Sequence, residues 1–242
     1  MLRTPAPLIG ALDLTMTSSK QLLSPYSGHL TPEQIAEGMN AARDNAARLL
    51  SDAELLLENA RYPSAASVAI LAIEEAGKCT LLRELALAKT QEERREAWRG
   101  YRSHTRKNIS WIFPELVAKG ARNLSALAQI VDEASDHPAV LDAIKQIGFY
   151  TDCLAKAHWS LPNAVIDGTQ ADSLIAIARV VAGSKNAPHT TREVELWIEH
   201  LGPVWKKEMA WMQQGLTNWN SAMLKEGLAV EGAVSFSEFV RK

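Results

Sequence analysis

The segment from Thr31 to Tyr62 constrains the fold most strongly, because its apolar residues alternate at intervals of four and three. This spacing places them on one stripe of a single α-helix. Thr31, Pro32 and Gln34 form a helix-start signature, with an N-cap threonine, a proline at the first helical position and a capping-box glutamine. The many alanines of the stripe allow a neighbouring helix to approach closely. The stripe consists of Ile35, Met39, Ala42, Ala46, Leu49, Ala53 and Leu56.

The rest of the chain is also dominated by helical patterns, and no strand alternation or internal repeat interrupts them. Short connections between amphipathic helices favour an all-α, up-down helical bundle. Residues 31–228 are predicted to form this single domain, with residues 1–30 as a flexible arm and residues 229–242 as a tail. The later predicted helices cover residues 63–88, "QEERREAWRGYRSHTRKNISWIF", "RNLSALAQIVDEAS", "PAVLDAIKQIGFYTDCLAKAHWS", "TQADSLIAIARVVAG" and a C-terminal stretch after Thr190 that Gly202-Pro203 interrupts.

Composition and motifs narrow the functional classes. With 47% hydrophobic residues, 22% charged residues and a formal net charge of −2, the chain is typical of a soluble globular protein without a global basic field. Its two cysteines, Cys79 and Cys153, form no metal-binding pattern and indicate a reducing, cytoplasmic environment. The uncharged run from Tyr62 to Ile73 is too short to span a bilayer. Phosphate-loop, dinucleotide-binding, zinc-protease and serine-hydrolase motifs are all missing from the sequence, so we expect neither a cofactor nor a metal.

The apolar stretch "SVAILAIEEAGKCTLL" carries three charges near its middle, on Glu74, Glu75 and Lys78. Helical spacing places Lys78 between both carboxylates. Charges on a helix that is apolar all round must be paired or bonded to a polar group on a neighbour. One interpretation is a structural ion pair or a narrow exposed window, and the other is support for a polar site in a cleft.

A second group of polar residues lies in "WRGYRSHTRKN", where Arg99, Arg102 and Lys107 surround His104. A histidine with a near-neutral pKa moves protons, and a guanidinium holds a phosphate through two hydrogen bonds. Together they suffice for metal-free RNA cleavage in which a 2'-OH is the nucleophile. A basic, solvated helix face with an incidental histidine is the competing interpretation.

A third group lies in "GFYTDCLAKAHW", on a stretch predicted to be helical. Tyr150 has a hydroxyl to offer the same site, and Asp152 has a carboxylate to orient a base. A buried tyrosine capped by a hydrogen bond explains the same pattern without a site.

In combination, "NAARLLSDAELLLENARYPSAASVAILAIEEAGKCTLL", "YRSHTRKN" and "GFYTDC" resemble the AbiV family of bacterial abortive-infection proteins, which is grouped with the HEPN-like helical proteins. The resemblance covers roughly Ile35 to Pro162, and the pairing of "EEAGK" with "SHTRK" is its most specific part. It implies a HEPN-like bundle with extra C-terminal helices.

The resemblance also implies a function in phage defence, with a block of translation as the outcome. Many HEPN proteins are metal-independent ribonucleases that use an Arg-x4-6-His motif, often across a homodimer interface. In this sequence Arg99 and His104 form an Arg-x4-His motif, and Gly100 is the residue directly after the arginine. The resemblance further implies that Glu75, Lys78, His104 and Lys107 share one cleft.

Two functional hypotheses follow. In the first, the protein is an RNA-directed enzyme, with His104 and Arg99 as catalytic residues and Arg102, Lys107 and Lys78 as substrate-binding residues. Glu74, Glu75, Tyr150 and Asp152 then support the site, and Glu75 either orients His104 or pairs with Lys78. In the second, the bundle is a non-enzymatic module that binds a phage or host protein, and the polar cluster is structural.

Overall fold

The computed structural model describes residues 24–112, 135–154, 156–183 and 187–229, and the single positions 116, 117, 119, 121, 127 and 240. The helices are α1 (Pro32–Glu58), α2 (Tyr62–Ala86), α3 (Gln91–Arg102), α4 (His104–Lys107), α5 (His137–Phe149), α6 (Pro162–Val165), α7 (Gly168–Ala182), α8 (Thr191–Leu201) and α9 (Met209–Lys225), with a 3-10 turn at Ile109–Ile112. Two short strands, β1 (Asp152–Leu154) and β2 (His158–Ser160), form an antiparallel hairpin. The all-α prediction is confirmed.

Helices α1 and α2 form the central antiparallel pair. The predicted capping box starts α1: the Thr31 hydroxyl accepts from the Gln34 amide, and the Gln34 side chain accepts from the Thr31 amide. Small residues on both helices pack into one buried cluster, which brings the two backbones close together. We call this contact the alanine seam, which consists of Ala46 and Ala53 on α1 and Ala65, Ala66, Ala69 and Ala72 on α2.

Helix α2 is covered on most of its sides. Helices α5 and α7 pack against one side of it, and α3, α4 and α8 contact other parts. Its buried apolar residues belong to two clusters, one shared with α7 around Ile70 and Ile73 and one shared with α1, α3 and α8 around Leu82 and Leu85. A polar side chain in the middle of α2 is therefore far from bulk solvent unless a neighbouring helix leaves a gap.

The predicted third helix does not run on through residue 113. It breaks at Ser103, which has extended backbone angles of φ −77° and ψ 127°. Ser103 closes α3 and acts as the N-cap of α4, where its hydroxyl accepts a hydrogen bond from the Arg106 amide. A serine that bonds to the backbone in this way competes with helix continuation. His104 consequently starts a new helix instead of continuing the face of α3.

The predicted fifth helix is also shorter than the sequence pattern indicated. It ends at Phe149, Tyr150 is extended, and the following residues form the β1–β2 hairpin, which pairs Asp152 with Ser160. Ala157, with a φ of 57°, lies between the two strands. The prediction of a helix up to residue 160 is therefore wrong. The aromatic and β-branched residues in this stretch suit a strand as well as a helix.

The C-terminal helices follow the sequence pattern. The predicted interruption at Gly202-Pro203 is confirmed, because α8 ends at Leu201 and α9 begins at Met209. Within the described residues, no helix combines the length and apolarity needed to cross a membrane. The predicted helix "RNLSALAQIVDEAS", most of the predicted N-terminal arm and most of the tail lie outside the described residues.

Candidate functional site

Glu74 is the centre of a buried polar cluster in the middle of α2. Its side chain is 3% exposed. One carboxylate oxygen, Oε2, lies 2.8 Å from Nδ1 of His104 and 3.6 Å from Nζ of Lys107. The other, Oε1, lies 2.5 Å from Nζ of Lys145. We call Glu74, His104, Lys107, Lys145 and the adjoining Asp142 the Glu74 cluster.

The short helix α4 reaches Glu74 because α2 has a glycine where the two helices meet. A Cβ atom on Gly77 would lie 2.0 Å from the backbone carbonyl oxygen of Lys107. Real side chains do not tolerate this distance, so only glycine permits the observed contact. Gly77 thus determines how close His104 and Lys107 come to the carboxylate, one turn of α2 away.

Helix α5 brings Lys145 to the cluster through a similar close contact. A Cβ on Gly148 would lie 2.2 Å from the Ser67 hydroxyl oxygen, and that hydroxyl donates to the backbone carbonyl of Lys145 at 3.1 Å. Nζ of Lys145 also forms an ion pair of 2.7 Å with Asp142, one turn earlier in α5. Burial acts to lower the pKa of Lys145, but the contacts with Asp142 and Glu74 outweigh it and raise the pKa.

The contact with Glu74 determines which nitrogen of His104 carries its proton. A carboxylate only accepts hydrogen bonds, so Nδ1 of His104 donates to Glu74. Lys145 lies 3.3 Å from the same Nδ1, but an ammonium is also only a donor and cannot replace the carboxylate there. In the neutral imidazole, Nε2 then has a free lone pair. Because the side chain of His104 is 56% exposed, this nitrogen is accessible to a ligand from solution.

The second carboxylate, Glu75, has a different partner. It forms an ion pair of 2.5 Å with Lys78, and the Lys78 ammonium lies 5.6 Å from the centre of the Tyr101 ring. Lys107 is affected by Glu74 and also by the charges of Glu75 and Lys78. Burial lowers the pKa of Lys107, and attraction to Glu74 opposes this effect. Of the two predicted roles for Glu75, orienting His104 or pairing with Lys78, the structure shows the pairing, and Glu74 is the carboxylate that contacts His104.

Arg99 and Arg102 lie on the exposed side of α3. With Arg95, Trp98, Ser27 and Ser103 they line an open cleft of about 520 Å³. Arg102 donates to the backbone carbonyl of Tyr26 and stacks 5.1 Å from the centre of the Trp98 ring. Ser103, which lines this cleft, directly precedes His104. The cleft and the histidine are therefore neighbours along the chain, separated by the α3–α4 break.

Tyr150 and Asp152 do not lie on a helix next to the cluster, contrary to the sequence-based expectation. Tyr150 follows the end of α5 and is 63% exposed, and Asp152 is an exposed residue of β1. Its carboxylate accepts from the neighbouring Cys153 amide at 2.7 Å. The early end of α5 carries both residues into the hairpin.

Sequence analysis missed Lys145 and Asp142. Lys145 is 4% exposed, although its spacing in "PAVLDAIKQIGF" is that of an ordinary lysine on an amphipathic helix. The available signal was the surplus of carboxylates in "IEEAGK", since two adjacent acids with one lysine leave a buried charge without a partner. That surplus predicts a further cation but does not say which helix provides it.

Glu74, His104 and Asp142 also have the ligand types of a metal site, with ligand atoms within 4.8 Å of one another. Nζ of Lys145 lies within 3.3 Å of one ligand atom from each of them. An ammonium thus occupies the position between the three groups where a cation would bind. The three side chains therefore suit the ammonium group of Lys145 better than a metal ion.

Comparison with protein families gives a match. The model of the AbiV family, of the HEPN type, matches residues 34–183. The chain belongs to the AbiV family. The match confirms the resemblance inferred from the sequence and extends it beyond Pro162 to the end of α7. Membership indicates a HEPN-type abortive-infection protein. Comparisons with curated proteins and with solved structures give no match.

Proposed function

We propose that this AbiV-family protein acts in phage defence as a metal-independent endoribonuclease that blocks translation, with His104 as its proton-transfer group. The observation that carries the proposal is the hydrogen bond between a buried carboxylate, Glu74, and an exposed imidazole, His104, at 2.8 Å. An imidazole whose Nδ1 is held by a carboxylate and whose Nε2 is left for the substrate has the arrangement that general-base catalysis requires.

In the proposed reaction, Nε2 of His104 accepts the proton of an RNA 2'-OH. The 2'-oxygen then attacks the adjacent phosphorus and forms a cyclic phosphate as the bond to the 5'-oxygen breaks. The 5'-oxygen takes up a proton from water, and the imidazolium of His104 returns its proton to the solvent. Arg99 and Arg102 line the cleft that includes Ser103, the residue before His104, and in this proposal they bind the phosphate through their guanidinium groups. Glu74 stabilises the imidazolium that forms.

Lys107 and Lys78 contribute indirectly to the proposed reaction. Lys107 is 7% exposed and pairs with Glu74, and Lys78 pairs with Glu75. Both are already engaged with carboxylates, so their contribution is the positive potential of the region. We propose this supporting role in place of direct phosphate binding.

Incubation of purified protein with total RNA and with tRNA tests the proposal. We expect His104→Ala to reduce the cleavage rate by about 10²- to 10⁴-fold, the usual contribution of a general base. His158→Ala is the matched control, because His158 is an exposed histidine in β2, outside the cluster. Arg99→Ala should weaken cleavage without changing the melting temperature. Equal cleavage by wild type and His104→Ala, or no cleavage by wild type, contradicts the proposed activity.

A non-enzymatic interaction module is the second candidate, and one observation favours it. Every charged side chain of the Glu74 cluster has a partner of opposite charge, as in a purely structural network. In that case His104→Ala retains phage resistance in cells. A plaque assay with His104→Ala and His158→Ala, at matched protein levels, distinguishes the two functions.

A further inference from the structure

Lys145 has no role in the proposed reaction, although it is the most completely enclosed cation of the Glu74 cluster. Its exposed fraction is 4%, and its ammonium contacts Glu74 at 2.5 Å and Asp142 at 2.7 Å. We propose that Lys145 is a positioning residue for His104: it acts through Glu74 and takes the place of a metal ion between Glu74, His104 and Asp142. The catalytic meaning of this role rests on the proposed function.

Lys145 fixes the orientation of the Glu74 carboxylate. Its two oxygens have different close partners, with Oε1 against Lys145 and Oε2 against His104. The ammonium therefore prevents the carboxylate from rotating, and Oε2 stays directed at Nδ1. Without Lys145, the nearest remaining ammonium is that of Lys107, 3.6 Å from Oε2 on the side of His104. A carboxylate free to turn toward Lys107 would no longer hold the imidazole in one orientation.

Lys145 also balances the charge of the Glu74 cluster. Glu74 and Asp142 contribute two negative charges, and Lys107 and Lys145 contribute two positive ones. The cluster is neutral when the imidazole of His104 is neutral, which is the form that accepts a proton. Removal of the Lys145 charge leaves a surplus negative charge, which an imidazolium at His104 would balance.

Lys145 also fills the position that a metal ion would occupy between the three groups. The three ligand atoms of Glu74, His104 and Asp142 lie within 4.8 Å of one another, so they are close enough to bind one divalent ion together. The ammonium of Lys145 already contacts each of them. Its positive charge repels a metal ion, and its volume fills the position. Removal of the ammonium should therefore turn the same three groups into a metal site.

Nitrogen-15 NMR of the histidine rings tests the positioning role without any RNA. At a fixed pH near 7, we expect Lys145→Met to show a larger imidazolium fraction at His104 than wild type, by at least twofold. Lys207→Met is the matched control, because Lys207 is an exposed lysine beyond α8. Lys145→Arg should restore the wild-type spectrum. Identical His104 spectra in wild type and Lys145→Met overturn the proposal.

Titration with Co²⁺ tests the metal-replacement part. We expect Lys145→Ala to bind one Co²⁺ at least tenfold more tightly than wild type, and the additional Asp142→Asn or His104→Ala change to abolish this gain. Tight Co²⁺ binding at the same residues of wild type overturns this part, as does the lack of any gain in the variant.

One further variant keeps the role of Lys145 testable if the Lys145 variants do not fold. Asp142→Asn removes one partner of Lys145 at a side chain that is 30% exposed, and it should shift the His104 spectrum in a measurable way while the fold persists. An unchanged spectrum counts against the role of Lys145. Because neither readout uses RNA, failure to cleave RNA contradicts the proposed function alone, whereas an unaltered imidazole contradicts the role of Lys145 alone.

Discussion

Two polar clusters that involve α2 each combine a histidine, a glutamate and a cation. The exposed fraction of the histidine side chain differs greatly between them. In the Glu74 cluster, the side chain of His104 is 56% exposed and its carboxylate is 3% exposed. In the second, which we call the Glu193 cluster (Cys79, Arg83, His189 and Glu193), the histidine is 20% exposed and the carboxylate 12%. The same residue types leave the histidine exposed in one cluster and largely enclosed in the other.

The ring and the backbone of His189 are both held by neighbouring residues. Its ring contacts both the Cys79 side chain and Glu193, whose carboxylate lies 2.9 Å from Nδ1. Its backbone is held by Asn40 of α1 through two hydrogen bonds of 2.8 Å. Hydrogen bonding with Cys79, and then with Glu193, raises the pKa of His189 to about 9. A free ring nitrogen, and not the Glu–His pair itself, therefore distinguishes a candidate catalytic histidine.

The largest expected effect that separates the clusters is on stability, through loss of the buried carboxylate. Glu74→Ala leaves the enclosed Lys145 with only Asp142, and loss of one partner from a buried ion pair costs about 3–5 kcal/mol of unfolding free energy. Glu193→Ala should cost less, about 1–2 kcal/mol, because Arg83 is 27% exposed and regains water. Urea denaturation of both variants measures the difference, and equal losses would contradict the distinction.

An intermediate effect is expected at the contact between α2 and α4. Gly77→Ala puts a methyl group against the Lys107 carbonyl, so α4 has to move away and His104 with it. We expect a loss of about 1–3 kcal/mol in unfolding free energy and disappearance of the His104–Glu74 contact, with the His189 NMR signals unchanged. Gly100→Ala is the control: its nearest new contact is 3.7 Å away, so it should be neutral or stabilise α3 by about 0.5–1 kcal/mol. A stable Gly77→Ala protein with a wild-type His104 spectrum would refute the role of this glycine.

The smallest expected effect is the pH dependence of the Glu193 cluster. Because the pKa of His189 is raised from 6.5 to about 9 in the folded protein, its charge adds stability that is complete below pH 6.5 and is lost as the pH rises through 9. His189→Gln should therefore cost about 1–2 kcal/mol at pH 6, allowing for solvent screening, and much less at pH 9.5. Chemical denaturation across this range measures the trend.

Two controls make this pH prediction specific. The titration is repeated in a Cys79→Ser background, so that ionisation of the thiol next to the ring does not contribute. His104→Gln, at the exposed histidine, should stay within about 0.5 kcal/mol of wild type under the same conditions. A penalty for His189→Gln that grows with pH would contradict the assignment of His189 as a stabilising cation.

Much of the fold was predictable because α1, α2, α7 and α8 have strong local signals. Thr31 and Gln34 form the capping box of α1. Five of the seven stripe residues are buried (Ile35, Met39, Ala42, Ala46 and Ala53), and the other two, Leu49 and Leu56, are partly buried. The break at Ser103 was not predictable from periodicity, because the apolar and basic pattern runs through it without interruption. The β1–β2 hairpin was missed for a related reason: the pairing of Asp152 with Ser160 depends on tertiary context, which outweighs local propensity in short segments.

The candidate site was only partly predictable. The spacing of Glu74, Glu75 and Lys78 correctly indicated buried charge on α2, but it could not assign which carboxylate faces α4. That choice depends on Gly77, whose effect is a distance between two backbones. Lys145 lies 71 residues beyond Glu74 in the chain, and their contact depends on how α5 packs against Ser67. Such contacts between helices leave no trace in the periodicity of either helix.

The alanine seam between α1 and α2 has a consequence for how the protein meets a ligand. Side chains without rotatable bonds keep the two backbones at one separation, and they lose no rotamer freedom when they are buried. The wall that holds Glu74 therefore has little room to rearrange, and its carboxylate faces His104 before any ligand arrives. A site of this kind is preorganised: its electrostatic field already has its working direction, and binding need not reorient it.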